Sequence, residues 1–532
     1  DIKSNAVADD AQGDFFVTGS FLGTANFAPA PATANLTTTG SRDPFVAKYT
    51  KAGALVWAEH LKGSDSSAVA QGSAIAVDGA GDVYLAGTFT GTFNFDPGTG
   101  NTSITANAND IFVEKLDPNG NLLWVQDVPT TTLSYNAPYG LALDGAGNAY
   151  VSGSFEDQAE FGATTLTSGG GFDAFVAKFD ASTGGVDWAE GTTGTGYSSA
   201  IFKGVAIDGS GNVLLTGYYA GTVDLDPTGG VATDSSDGGT QDIVVEKLDG
   251  GTGALSWAET IGGSDVDMGN AVAGDAAGNI YVTGTFSGPV DFDPGQGVTT
   301  LTSVGYNDTF LMKLSASGQL SWAEDLAGTT ATSSGNGLGL ALDGNGQVLV
   351  AGDFLGGIQL DPSGQTPGTT AAGSFDAFVA EYDDGNGGYL GGQSAGGTNL
   401  DIASGVAANA AGNVAVTGSY YGPANFAGTS LPEVGKQSIF LAQWTIPAAA
   451  APPSAPSTPV LEAGSDTGAS HSDDITAATT LVLDVNTAVA TDTVELLRDG
   501  VVVGTRTGPG PITDPGPVPA GTHGYTAIQV DP

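Results

Sequence analysis

Four segments of the chain carry an aspartate–proline corner: NFDPG at Asn94, DLDP at Asp224, DFDPG at Asp291 and QLDP at Gln359. Two of these space carboxylates as Asp-x-Asp, in the pairs Asp224/Asp226 and Asp291/Asp293, and oxygens so placed are ligands of the kind Ca²⁺ takes. Neither segment has the alternating ligand set of an EF-hand loop. The preferred reading is a simple turn, with bound Ca²⁺ as the alternative and the one cofactor the sequence raises. Lys48, Lys115, Lys178, Lys247 and Lys313 recur at one position of a repeated phrase, and a ring of lysines can form an anion site. The preferred reading is structural. Glu59, Glu190, Glu259 and Glu324 lie 11 or 12 residues beyond four of these lysines, a spacing that suits cross-strand ion pairs. The sixth and seventh copies, with Glu381 and Gln443 in place of lysine, lose the glutamate as well; the second, with Gln126, is the exception.

Little else points to catalysis. His60, His471 and His523 are scattered. No nucleophile elbow, phosphate-cradling glycine loop or HExxH sequence occurs. Chance pairs among 58 acidic residues leave carboxylate-based glycoside chemistry as a remote alternative. Tyr218, Tyr219, Tyr420 and Tyr421 are candidates for stacking on sugars, with packing at a sheet edge as the plainer reading. The expectation is a protein that is not an enzyme.

Charge narrows the partners. A formal charge of −45 repels nucleic acid and anionic membrane, and no segment has the apolar length of a membrane span. With no cysteine there is neither a disulfide framework nor a thiolate metal site. A chain that begins at Asp1 suggests a processed or partial N-terminus.

The elements that must position these residues come from a repeat. DAQGDFFVTG from Asp10 recurs as DGAGDVYLAG from Asp78, DGAGNAYVSG from Asp144 and DGSGNVLLTG from Asp208. It continues as DAAGNIYVTG from Asp275, DGNGQVLVAG from Asp343 and NAAGNVAVTG from Asn409, at intervals of 64 to 68 residues. Each copy reads as a hairpin: a strand of small and aliphatic residues, an Asp/Gly turn, and a β-rich strand ending in glycine. A third strand follows as PFVAKY, DIFVEKL, DAFVAKF, DIVVEKL, DTFLMKL, DAFVAEY and SIFLAQW. A fourth is marked by Trp57, Trp124, Trp188, Trp257 and Trp322. Seven repeats of four antiparallel strands predict an all-β, seven-bladed β-propeller over residues 1–444, with negligible helix.

The phrases D-x-x-G-N-x-Y-V-x-G and D-A-F-V-A-K and the W-A-E strand resemble the bacterial SBBP β-propeller repeat family. That resemblance implies a propeller and an extracellular setting, and supplies no catalytic residues. Residues 445–459 (TIPAAAAPPSAPSTP) read as a Pro/Ala-rich linker. Over residues 460–532, PSTPVLEAGSDTGASHSDDIT, the hairpin VELLRDGVVVGT with Asp499-Gly500 at its turn, and AGTHGYTAIQVDP are similar to bacterial immunoglobulin-like modules of surface adhesins. This implies a small β-sandwich, incomplete by its last strand.

The function these readings imply is an extracellular structural or adhesive protein of the bacterial surface, self-associating by strand exchange or contacting other surface proteins. A propeller that binds glycan is the alternative. The seventh repeat has no tryptophan strand. Alignment places it near residues 450–457, where AAPPSAPS cannot form a regular ladder, so that strand is expected from upstream of Asp1 or from a neighbouring subunit.

Overall fold

The computed structural model describes residues 1–444 apart from 30–31, 97, 99, 133–135, 170, 227–231, 296, 410–413, 427–428 and 432–436. Beyond these it describes 460–461, 481–485, 493–499, 501–507, 510–516 and 525–530. The expected linker 445–459 and residues 450–457 lie outside the described residues. The chain divides into two compact units, residues 1–446 and 447–532.

In the first unit each repeat is one antiparallel sheet. Sheet one runs Ile2–Asp9, Phe15–Phe21, Asp43–Tyr49, Leu55–His60, and sheet two Val69–Val77, Val83–Thr90, Asp110–Leu116, Leu122–Val128. Sheet three runs Ala137–Leu143, Ala149–Phe155, Asp173–Phe179, Val186–Gly191, and sheet four Ser199–Ile207, Val213–Ala220, Gln241–Leu248, Leu255–Ile261. Sheet five runs Met268–Gly274, Ile280–Phe286, Asp308–Leu314, Leu320–Leu326, and sheet six Ser334–Leu342, Gln347–Leu355, Asp376–Asp383, Tyr389–Gly397. Sheet seven has three described strands, Asp401–Ala408, Val414–Tyr420 and Ser438–Trp444. The only helical element among the described residues is a 3₁₀ turn at Asp237–Gly239, and none is long and apolar enough to cross a membrane.

The first strand of each sheet touches the first strand of the next, and that of sheet seven returns to that of sheet one. Ser4 donates from Oγ to the Gly418 carbonyl at 2.9 Å, Ser404 from Oγ to the Ser4 carbonyl at 3.2 Å, and Asn409 from Nδ2 to Asp9 at 3.0 Å. Each junction between sheets holds its own apolar core. Leu214, Ile243 and Val245 of sheet four pack on Val272, Ile280 and Val282 of sheet five, and Ile439 and Leu441 of sheet seven pack on Phe21 and Phe45 of sheet one. Radial sheets around an axis, with their inner strands adjacent, make this unit a β-propeller.

Two local devices recur. In the turn after the first strand the aspartate caps two backbone amides: Asp78 Oδ1 accepts from Ala80 N at 2.9 Å and Asp82 N at 3.0 Å, while Gly81 adopts φ +87°. The second is a β-bulge in every first strand, placing one extra residue at Asn5, Ser73, Tyr139, Lys203, Asn270, Leu338 and Ser404. Directly opposite the residue before each bulge stands the glycine that ends the repeated phrase: Gly19, Gly87, Gly153, Gly217, Gly284, Gly352 or Gly418. A Cβ there would overlap a first-strand carbonyl oxygen, that of Ile201 for Gly217 and of Ile402 for Gly418, so no other residue fits.

Between the second and third strands lies the expected inserted hairpin. In four junctions it pairs with the segment that follows the fourth strand of the preceding sheet, Phe93 with Gly63, Ala159 with Thr130, Val223 with Gly194 and Ile358 with Gly328, and in a fifth with the end of that strand itself, Asn425 with Gly396. These bridges sew the outer rim of neighbouring sheets together.

The second unit contains two three-stranded sheets, 460–461/481–485/510–514 and 501–507/493–498/525–530 in hydrogen-bonded order. Leu483, Leu496 and Ile512 are buried. Asp514 accepts from Arg498 Nη1 at 2.7 Å and from the Tyr525 hydroxyl at 2.8 Å. The expected hairpin is present, with Asp499 in the left-handed region at φ +50°.

If the glycine–bulge crossing is obligatory, Gly217→Ala should cost about 2–4 kcal/mol by forcing the two inner strands apart. Gly79→Ala, where a Cβ meets nothing within 4 Å, should change the midpoint of chemical unfolding very little. Equal effects of the two substitutions would contradict this assignment.

Candidate functional site

The five lysines are structural, but their partner is not the one expected. Lys48 stands opposite Trp57 and Lys178 opposite Trp188; Glu59 and Glu190 lie two residues further along and fall opposite Val46 and Val176. Among the described residues no lysine–glutamate ion pair forms in this family of positions. The ammonium groups instead reach the turn aspartates: Lys48 to Asp10 and Asp14 at 3.3 Å, Lys115 to Asp82 at 2.9 Å and Lys247 to Asp208 at 2.8 Å. Lys48, Lys115, Lys178 and Lys313 also lie over the rings of Phe16, Tyr84, Tyr150 and Tyr281. Burial pushes the Asp208 carboxyl up, but Asn212, Lys247 and two backbone amides outweigh it and hold it at about 2.

The tryptophans complete this clasp across each junction. Trp124 Nε1 and Lys115 Nζ donate to the carbonyl of Ala181, Trp188 and Lys178 to that of Gly250, Trp257 and Lys247 to that of Ala316, and Trp322 and Lys313 to that of Asp384. Trp57 donates to Pro118 in the same way. Each ring covers a glycine of the next sheet's last turn: Gly120, Gly184, Gly253, Gly318 or Gly387. At the equivalent Gly53 of sheet one, nothing lies within 4 Å of where a Cβ would stand. That seat belongs to a fourth strand of sheet seven, and among the described residues Ser438–Trp444 pairs on one side only.

The Asp-x-Asp pairs sit at the tips of inserted hairpins. Asp224 Oδ1 accepts from Asp226 N at 3.1 Å and Ala232 N at 2.9 Å; Asp291 Oδ1 accepts from Asp293 N at 3.1 Å and Thr299 N at 2.8 Å. Asn26 and Asn94 perform the same double capping with a neutral amide. The first aspartate of each pair therefore has a turn-holding task that needs no charge. Among the described residues no group of three or more His, Asp or Glu side chains is arranged to hold a metal ion. Of the four tyrosines, Tyr219 and Tyr420 are buried, and Tyr219 donates to Asp234 at 2.9 Å.

Two features escaped the sequence reading. Glu114 and Glu246, at a third-strand position that holds Ala or Met in the other copies, are wholly buried with neither oxygen hydrogen-bonded. Glu114 shares a crevice with Glu59 and His60 at the junction of sheets one and two, and burial pushes its carboxyl up to about 8. His60 is committed to Asp43 at 3.1 Å. The second feature is on the axial wall. Tyr139 and Lys203 are the bulge residues of sheets three and four, and the Lys203 ammonium lies 5.8 Å from the Tyr218 ring centroid. For the glutamates the signal was available by comparing the copies position by position, since each is a charged exception in a column of Ala and Met; the bulge column is varied and gives no such signal.

No family model matches the chain. An uncharacterized WD repeat-containing protein of Acanthamoeba polyphaga mimivirus is 26% identical over 450 residues, 71% of this chain and 32% of the relative. The regulatory protein FlaEY of Caulobacter vibrioides is 28% identical over 188 residues, 34% of this chain and 18% of that protein. The chain thus spans about a third or less of the length of these relatives. Among solved structures, quinohemoprotein alcohol dehydrogenase ADHIIG from Pseudomonas putida overlaps 79% of this chain and 70% of its own, with TM-score 0.36 and 12% identity. A europium-containing methanol dehydrogenase overlaps 77% and 72%, with TM-score 0.35 and 11% identity. Overlaps this loose carry no argument about chemistry. The chain is a β-propeller repeat protein by its own sheets.

Glu114 sets a pH dependence whose sign is fixed. The folded state holds its proton up to about pH 8, whereas the unfolded chain releases it near the ordinary glutamate value, so this group's contribution falls as pH rises between the two. Glu114→Met, which copies Met312 of sheet five, should raise the melting temperature at pH 8 and have little effect at pH 4.5. Melts of equal difference at both pH values would contradict a protonated Glu114.

Proposed function

We propose that the chain is a secreted, non-enzymatic structural or adhesive module of SBBP type. In this reading a seven-bladed propeller over residues 1–444 precedes an immunoglobulin-like domain, and the propeller joins other copies by accepting a strand. The observation that carries it is the junction of sheets seven and one. Among the described residues Ser438–Trp444 is paired on one side only and nothing stands over Gly53, where five other junctions place a tryptophan. A cycle of seven touching first strands supports the blade count, and two facing three-stranded sheets support the second domain. An exposed sheet edge with a shaped side-chain seat is the geometry of β-strand addition. The surface charge suits display in solution and discourages nucleic acid and anionic membrane as partners.

The test uses the full chain and the chain's own fourth-strand sequence, LSWAETIGG of Leu255–Gly263, as a synthetic peptide. Light scattering should show concentration-dependent oligomers, and saturating peptide should return them to monomer, with one peptide bound per chain. The peptide with alanine for tryptophan should bind at least about tenfold more weakly, since the buried ring and its N–H bond are lost. A chain that stays monomeric at high concentration and takes up no peptide would overturn the proposal.

A further inference from the structure

The seven bulge residues form one ring on the axial wall. Three of them show how the ring is built: Asn5 donates from Nδ2 to the Gly72 carbonyl at 2.6 Å, Asn270 to that of Gly337 at 2.8 Å, and Ser404 from Oγ to that of Ser4 at 3.2 Å. In each case the acceptor is the residue just before the next sheet's bulge, so the seven side chains lie at one level around the axis. Positions that follow them are nearly uniform. The residue after the bulge is Ala or Gly in every sheet, and two further on all seven have alanine, from Ala8 to Ala407. Packing of adjacent first strands fixes those small residues: a Cβ on Gly204 would sit 3.0 Å from Val272 N, and one on Gly339 3.1 Å from Val406 N. The bulge position escapes that constraint, and its chemistry varies from copy to copy.

At sheets three and four it holds Tyr139 and Lys203. Tyr139 is 40% exposed, and beside it the Tyr218 phenol is pushed above the ordinary range by burial and then by Tyr139 itself. Lys203 is half-buried, and loss of hydration pulls its ammonium below the usual lysine range. In a chain with 45 excess negative charges, Lys48, Lys115, Lys178 and Lys247 each have an aspartate. Lys203 has none among the described residues; its one recorded neighbour is the face of Tyr218 at 5.8 Å. A partly dehydrated cation, a neutral phenol and an exposed ring within one wall segment are complementary to an anion that carries a ring.

We propose that Tyr139, Lys203 and Tyr218 form a binding site on the axial wall for a small monocarboxylate bearing a ring, of the hexuronate class. Lys203 pairs with the carboxylate and Tyr139 stacks on the ring. The net charge of −45 on the chain disfavours long polyanions more than a ligand of single charge. This site is independent of the strand seat at sheet seven, so either can fail without the other.

The experiment titrates the full chain with glucuronate and, in parallel, with glucose, by calorimetry at low salt. Glucuronate should bind with one site per chain, and glucose at least about tenfold more weakly, as expected for loss of one charge-assisted contact. Lys203→Met should weaken glucuronate by about the same factor, and so should Tyr139→Ala. Ser73→Ala, on the same ring but away from the cluster, should leave affinity within about twofold. Circular dichroism and the melting temperature of each variant report whether it folds. Should Lys203→Met fail to fold, Lys203→Arg keeps the charge and should retain glucuronate selectivity over glucose. No saturable binding of glucuronate, equal binding of the two sugars, or unchanged affinity in folded Lys203→Met would overturn the proposal.

Discussion

Everything in the propeller follows from one crossing: a glycine of the second strand pressed against a bulge in the first. The bulge bends the innermost strand, and the glycine makes room for the carbonyl that the bend throws outward. Because the crossing recurs in every sheet, each inner strand takes the same path, and neighbouring inner strands can touch through Ala and Gly. The aromatic and branched side chains are left for the junctions, where Phe, Val, Ile and Leu from adjacent sheets interlock. Repeat length is thereby tied to ring geometry, and substitutions elsewhere in a repeat are tolerated while that glycine is not.

The outer rim has a different logic. There a polar clasp of Asp, Lys, Trp and a backbone carbonyl links sheets one to six in succession, and inserted hairpins add short ladders across neighbouring sheets. The ion pair is mostly shielded and also hydrogen-bonded, which is when such a pair holds geometry rather than merely decorating a surface. Among the described residues the clasp is absent where sheet six meets sheet seven and where sheet seven meets sheet one. At the latter junction the inner ring is nonetheless closed, through Ser4, Ser404 and Asn409. That contrast between axis and rim is the basis for proposing that a partner strand docks there.

Much of this was legible in the sequence because it is repeated. The Asp-x-x-Gly turn, the four strand phrases and the inserted hairpin all follow from residue type and spacing, and the structure has each of them. The lysine partner was misread because the turn between the two strands is short: it puts Trp188 opposite Lys178 and carries Glu190 on to face Val176. The turn aspartate, nearly forty residues away in sequence for Lys48 and Asp10, comes close only through the third dimension. The bulge ring was hidden for a related reason. A one-residue insertion in a strand leaves no turn signal, so Tyr139 and Lys203 read as members of an ordinary strand.

The most direct measurement is hydrogen exchange of the intact chain, followed segment by segment. The account predicts that amides of Ser438–Trp444 exchange about a hundredfold faster than those of the equivalent Asp308–Leu314, because among the described residues that strand is paired on one side only. The inner strands Asp401–Ala408 and Met268–Gly274 should be equally protected, since the ring is closed at the axis. Equal protection of the two third strands, or rapid exchange across Asp401–Ala408, would contradict a propeller that is closed inside and open at one rim.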